Sequence, residues 1–277
     1  MGKTTEFYAQ LANSDLQTFS WSEWHLHPSV IIGLLFLAST YLLLYTIVIY
    51  RTPAASDVSL RRAGIFFAGL ILMFITLQGP LHELSDHFLF SAHMVQHLLL
   101  GLVIPALLIA GTSESLIRPL MHWNVIRESL KFLTRPVLAF ALFNIVLIMW
   151  HLPPLYDVTL REHSIHILEH LMFLIVGVIA WWPILSPLQE IPKSSYPIQL
   201  LYIFAQSVPM GFLGAIITFA DGVLYTFYAE APRIFFESPL TDQQMGGVIM
   251  KSTAGILFLF ALTIVYFTWV KREGESI

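Results

Sequence analysis

Two stretches of the chain place histidines four residues apart at the start of an apolar run: His93-Met94-Val95-Gln96-His97 and His166-Ile167-Leu168-Glu169-His170. Residues four apart share a helix face, so each pair can close on one ion. Imidazole is the most versatile metal ligand and proton carrier among side chains. Near a helix N-terminus the partial positive charge disfavours imidazolium, which keeps the ring neutral and able to ligate. Met94 adds a thioether, a ligand suited to Cu(I). The second stripe extends back to His163, and Glu162 and Glu169 flank it as carboxylates able to orient a ligating ring.

The elements that must position these pairs follow from composition. Of 277 residues, 56% are hydrophobic and only 12% charged, and the mean hydropathy is +0.72. A soluble domain of this size needs more polar surface. Apolar runs at roughly 29–50, 62–80, 90–110, 136–151, 164–185, 197–219 and 246–270 each approach the ~20 residues that cross a hydrocarbon core. The expectation is an all-α integral membrane protein of seven transmembrane helices, one domain over 1–277 with a polar N-terminal segment at 1–28. The fourth span is the shortest.

Arg51, Arg61, Arg62, Arg118, Arg127, Lys131, Arg135, Lys193, Lys271 and Arg272 fall on one side of this arrangement. Lys3, Arg161 and Arg233 fall on the other, and Lys251 lies within the last helix. Basic residues near span ends favour the cytoplasm, so the N-terminus is expected outside and the C-terminus inside. Ten histidines then lie outside: His25, His27, His82, His87, His93, His97, His151, His163, His166 and His170. Only His122 lies inside. Residues 1–28 lack a basic start, an apolar core and a small-residue cleavage site, so no removable signal peptide is expected. Trp21 and Trp24 are placed at the outer interface. The net charge of -4 is mild, and neither face reads as a nucleic-acid surface. Cysteine is absent, which excludes disulfide exchange, iron-sulfur clusters and thiolate metal sites.

Further donors cluster near the pairs. His82, Glu83, Asp86 and His87 occupy the loop before the third span, and His151 closes the fourth. The segment Thr241-Asp242-Gln243-Gln244-Met245-Gly246-Gly247 precedes the last span. There Asp242 serves either as an N-cap or as a carboxylate ligand or proton acceptor. Met94 and Met245 lie near the outer surface, whereas Met149, Met172, Met210 and Met250 read as packing. Lys251 either snorkels outward or pairs with a buried acid. Asn144 and Gln206 read as interhelical hydrogen-bonding residues, and Pro105 and Pro209 as kinks.

Taken in order, His93 to Leu100 followed by Pro105, Trp150-His151-Leu152-Pro153-Pro154-Leu155-Tyr156-Asp157, His166 to His170, Trp181-Trp182-Pro183 and Asp242 to Gly247 resemble the CtaG-type cytochrome c oxidase assembly factors of the bacterial plasma membrane. The likeness is not to the single-span, cysteine-bearing copper chaperones that share the CtaG name. It implies a multi-pass accessory protein for maturation of haem-copper oxidase, delivering or installing copper as Cu(I), and no enzymatic reaction. The implied partners are oxidase subunits and a further copper chaperone. The implied metal residues are His93, His97, His151, His166, His170 and Asp242, with Met94 inside the first motif. His82, His87, His163, Glu169 and Met245 stand as accessory ligands. Three alternatives remain open. His166-x-x-Glu169-His170 matches the H-x-x-E-H zinc hydrolase pattern, with Glu169 as general base. Histidines of two helices at equal depth could also serve as the axial ligands of a haem. A metal-free scaffold for assembly is the third.

Overall fold

A computed structural model describes residues 19–22, 24, 26–51 and 57–275; Lys3 and His25 lie outside them. Among the described residues the regular structure is helical, without strands. The helices that matter here are α1 (Pro28–Arg51), α2 (Leu60–Gln78), α3 (Pro80–His87), α4 (Phe90–Gly111), α5 (Asn124–Leu133), α6 (Pro136–Trp150), α7 (Pro153–Arg161), α8 (His163–Leu185), α9 (Tyr196–Thr218), α10 (Thr226–Glu230) and α11 (Pro239–Gly274).

Six of these, α1, α2, α4, α8, α9 and α11, are long and apolar enough to cross a membrane. α5 and α6 make a seventh when taken as one span bent by 78°. Pro136 enforces that bend: it has no N–H to donate, and it holds Arg135 out of the helical region, at ψ 132°. α6 alone has 15 residues, about 22 Å of helix at ~1.5 Å per residue, so it is the short span that its sequence foretells.

Two boundaries differ from the sequence pattern. The stretch holding His82 to His87, expected as loop, is the helix α3, started by Pro80 in its first turn. α11 begins at Pro239 instead of about 246, because Ser238 caps it by accepting the Leu240 N–H at 3.2 Å. Asp242 therefore lies inside the first turn of α11. Hydropathy marks where a span is apolar, while the helix runs on into polar sequence.

α4 and α8 form the centre of the bundle, with 61% and 56% of their apolar windows buried, against 6% for α1. These are the helices that carry the two histidine pairs. Their close approach has a local cause. Pro105 cannot donate to the Gly101 carbonyl one turn back, and its ring crowds that group. α4 accommodates this with a π-helical stretch over Leu99–Val103. Gly177 of α8 packs against that stretch, where a Cβ would overlap the Gly101 carbonyl oxygen and reach Pro105 Cγ at 2.6 Å. Only a residue without a side chain lets the two helices touch there.

Candidate metal centre

α4 presents His93 and His97, and α8 presents Glu169 and His170. Each of the four offers a ligand atom, and these atoms all lie within 4.8 Å of one another. His93 Nε2 and His97 Nε2 are 2.7 Å apart. Glu169 Oε2 lies 3.7 Å from His93 Nε2, and its Oε1 lies 3.5 Å from His97 Nε2. All four side chains are buried, His93 and Glu169 completely. Yet both Glu169 oxygens, His97 Nδ1 and His170 Nε2 have no hydrogen-bond partner. A buried polar atom left unpaired costs about 1–3 kcal/mol, more when charged. The Glu169 oxygens, unpartnered and converging with a nitrogen of each of the three histidines, are what a bound cation would satisfy.

The surrounding hydrogen bonds set which ring nitrogens are bare. Tyr228 donates its hydroxyl to the Ser85 carbonyl, so the same oxygen accepts from His93 Nδ1 at 3.0 Å. That places the His93 proton on Nδ1 and turns the Nε2 lone pair toward His97 and Glu169. His151, just past α6, has Nδ1 2.7 Å from the Leu147 carbonyl. A carbonyl only accepts, so Nδ1 carries that proton, and the buried Nε2 is a bare lone pair with no partner. The His151 ring centroid lies 5.5 Å from that of His97. Burial pushes the Tyr156 and Tyr228 hydroxyls well above the ordinary range, with neighbouring acidic groups adding to it, so both stay protonated.

His166 stands beside the four-residue group. Its ring centroid is 4.2 Å from that of His170 and 5.3 Å from that of His93, and its Nδ1 is 3.5 Å from Asp86 Oδ2. Asp86 bridges outward to His82, whose Nδ1 lies 3.2 Å from Asp86 Oδ1. Burial pushes the Asp86 carboxyl up, but the imidazoles of His166, His82 and His93 outweigh that and hold it below the usual carboxylate range. Gln96 Nε2 lies 3.0 Å from His82 Nδ1 and donates to the Thr76 carbonyl at 3.0 Å, which ties α4 to α2.

Other expected site residues lie apart from this group. Asp242 neither caps its own helix nor joins the histidines. Its carboxylate accepts from the Phe90 and Ser91 N–H groups at 2.8 and 3.2 Å and from Ser91 Oγ at 2.5 Å. It thereby caps the N-terminus of α4, where Leu89 offers no side-chain acceptor. Gly246 makes this reach workable, since a Cβ there would overlap the Phe90 ring. Met245 is exposed, and His87 is half-exposed, 4.0 Å from Glu83. His163 is exposed, its ring 5.5 Å from that of His27. Lys251 is exposed on α11, and Trp24 is exposed and stacks on Phe74 at 5.8 Å. Sequence reasoning passed over Gln96, Ser85 and Tyr228. The signal for Gln96 was in view, a lone amide between two histidines; nothing local marks Tyr228.

Over residues 40–272 the chain matches the cytochrome c oxidase caa3 assembly factors (Caa3_CtaG). It belongs to that family. The family carries an assembly role, in keeping with the expectation that the chain is not an enzyme. It is also similar to the uncharacterized protein Mb0105 of Mycobacterium bovis, 26% identical over an alignment of 201 residues that covers 67% of this chain and 30% of that protein. With the uncharacterized protein ML1998 of Mycobacterium leprae it shares 25% identity over an alignment of 244 residues that covers 79% of this chain and 37% of that protein. The Caa3_CtaG chain thus spans only about a third of the length of these relatives. No solved structure matches it.

Proposed function

We propose that this Caa3_CtaG protein binds copper as Cu(I) at His93, His97, Glu169 and His170 and passes it to a haem-copper oxidase subunit during assembly. The observation that carries this reading is the convergence of four buried ligand atoms within 4.8 Å, with both Glu169 oxygens unpartnered. Imidazole suits copper. One carboxylate beside one monovalent ion leaves the buried group neutral, which lowers the desolvation penalty. His151 and His166, whose Nε2 atoms are buried and unpartnered, stand one ring away as the next ligands for stepwise exchange. The basic-residue asymmetry supports a site on the outer face of the bacterial plasma membrane, with a further copper chaperone as supplier. The seven-span arrangement works as one unit holding α4 against α8.

The test is oxidase maturation in cells lacking this protein and complemented with either the parent or a His93→Ala/His170→Ala variant. The parent is expected to restore copper in the oxidase. The variant, present in the membrane at parental level, is expected to leave the oxidase copper-depleted. Full restoration by the variant would remove the proposed site.

A further inference from the structure

Next to the histidine group lies a second cluster, whose three methionines the proposed site does not use. A small cavity is lined by Met94, Met210 and Met250 together with His97, His151, Leu98, Phe143, Leu147 and Phe173. Three helices converge there: α4 brings Met94, α9 brings Met210 just after Pro209, and α11 brings Met250 one turn past Gly246 and Gly247. All three methionines are buried, between 1% and 3% exposed. The cavity is small, with room for one occupant about the size of a water molecule.

The histidines state what that occupant must be. His151 Nε2 is a bare lone pair, because Nδ1 is committed to the Leu147 carbonyl. His97 Nδ1 is likewise buried without a partner. A lone pair is satisfied by a proton donor or a Lewis acid. Thioether sulfur is only a weak acceptor, and the remaining walls are hydrocarbon. A water molecule needs two to four polar partners, which this cavity supplies poorly. The lining brings imidazole and thioether side chains together in a pocket without carboxylate, the residue types that suit a soft d10 cation.

We infer that the cavity of Met94, Met210, Met250 and His151 is a second seat for Cu(I), adjoining the histidine-glutamate group at His97, whose ring lines both. The inference rests on the reading that the protein carries copper. It adds a division of labour: the carboxylate-bearing group takes hard or soft ions, whereas the methionine cavity admits only a soft monovalent ion and keeps it away from water. His97 borders both, and because a neutral imidazole offers one lone pair it ligates an ion of one seat at a time.

The experiment titrates Cu(I) into the full chain in detergent under reducing conditions and records stoichiometry and the copper K-edge absorption spectrum. The parent is expected to bind two Cu(I) per chain, with sulfur scattering in the spectrum. A Met94→Leu/Met210→Leu/Met250→Leu variant, which conserves core volume, is expected to bind one and to lose the sulfur signal. A His93→Ala/His170→Ala variant is expected to keep the sulfur-ligated ion. Nitrogen and oxygen scattering alone in the parent would overturn the methionine seat while leaving the histidine group standing, and it needs no variant to fold. A triple variant that keeps both ions would overturn the seat equally. A parent that binds no copper would overturn this inference and the proposed function together.

Discussion

The two ends of the α4 and α8 pair treat their polar groups in opposite ways. At the Gly111 and Leu185 end, Tyr41 donates to the Gly111 carbonyl at 3.0 Å, and Ser186 Oγ donates to the Ile191 carbonyl at 2.5 Å. Asp57 accepts from Ser115 N–H and Oγ at 2.9 and 2.6 Å. The cavity at that end, about 800 Å³ and lined by residues such as Leu102, Trp181, Tyr196 and Phe260, is mainly hydrocarbon. The unpaired Nε1 atoms of Trp181 and Trp182 there are donors, and donors hold no cation. At the His93 and His166 end, bare acceptors gather around one point. Elsewhere single buried acceptors such as Ser113 Oγ and Asn144 Oδ1 stand alone; several converging on one point are found at the His93 end, where a positive ion would complete the structure.

The contrast can be broken most severely at the helix contact that both ends share. Gly177→Leu would drive a side chain into the Gly101 carbonyl and separate α4 from α8, with an expected destabilisation of roughly 3 kcal/mol or more and loss of copper binding. Gly255→Leu, with no atom within 4 Å of its Cβ position, should leave the thermal unfolding midpoint and copper content unchanged. Equal behaviour of the two variants would dismiss Gly177 as the contact that aligns the site.

A finer change tests the orientation of one ligand. Tyr228→Phe removes the acceptor of the His93 Nδ1 proton, and loss of such a partner weakens metal affinity by about 10–100-fold. Titration with Cu(I) should show that loss in a protein that still folds, destabilised by about 1–3 kcal/mol for the polar atoms left unpaired. Unchanged affinity would mean that Tyr228 does not orient His93.

Asp242→Ala separates capping from ligation. Its carboxylate serves the N-terminus of α4, so stability should drop by about 1–2 kcal/mol with copper stoichiometry intact, and Asp242→Asn should recover part of it. Copper loss in a folded Asp242→Ala protein would return this residue to the ligand set. The smallest effect is expected at the opposite end. Burial pushes the Asp57 carboxyl up, but the Ser115 hydrogen bonds outweigh this and hold it below its ordinary value. A depressed carboxyl stabilises above its unfolded pKa of about 3.9 and loses that contribution as pH falls through its folded value. Asp57→Asn should lower the unfolding midpoint slightly at neutral pH, and the gap to the parent should close as pH falls below about 4.

Much of this was legible in the sequence because spans and i, i+4 pairs are local. His93 and His97 announce their shared face through spacing alone, and the 15-residue α6 shows its shortness in its apolar run. The pairing of α4 with α8 is not local. It depends on Gly177 meeting the π-helical turn before Pro105, and neither residue names the other in sequence. The same limit explains Glu169, which reads as an accessory carboxylate by position yet stands inside the group, and His166, whose Nδ1 faces Asp86 while its Nε2 has no partner. Asp242 looked like a cap for the helix it begins, and it caps a helix whose sequence lies 152 residues away.

The central claim is tested most directly by metal analysis of the detergent-purified, reduced protein exposed to copper, beside a His93→Ala/His97→Ala variant, with a visible spectrum of each. The account predicts that the parent retains copper and shows no Soret band, while the folded variant loses the ion held by the histidine-glutamate group. Normal copper content in the variant, or a parent that takes zinc or haem in place of copper, would contradict it.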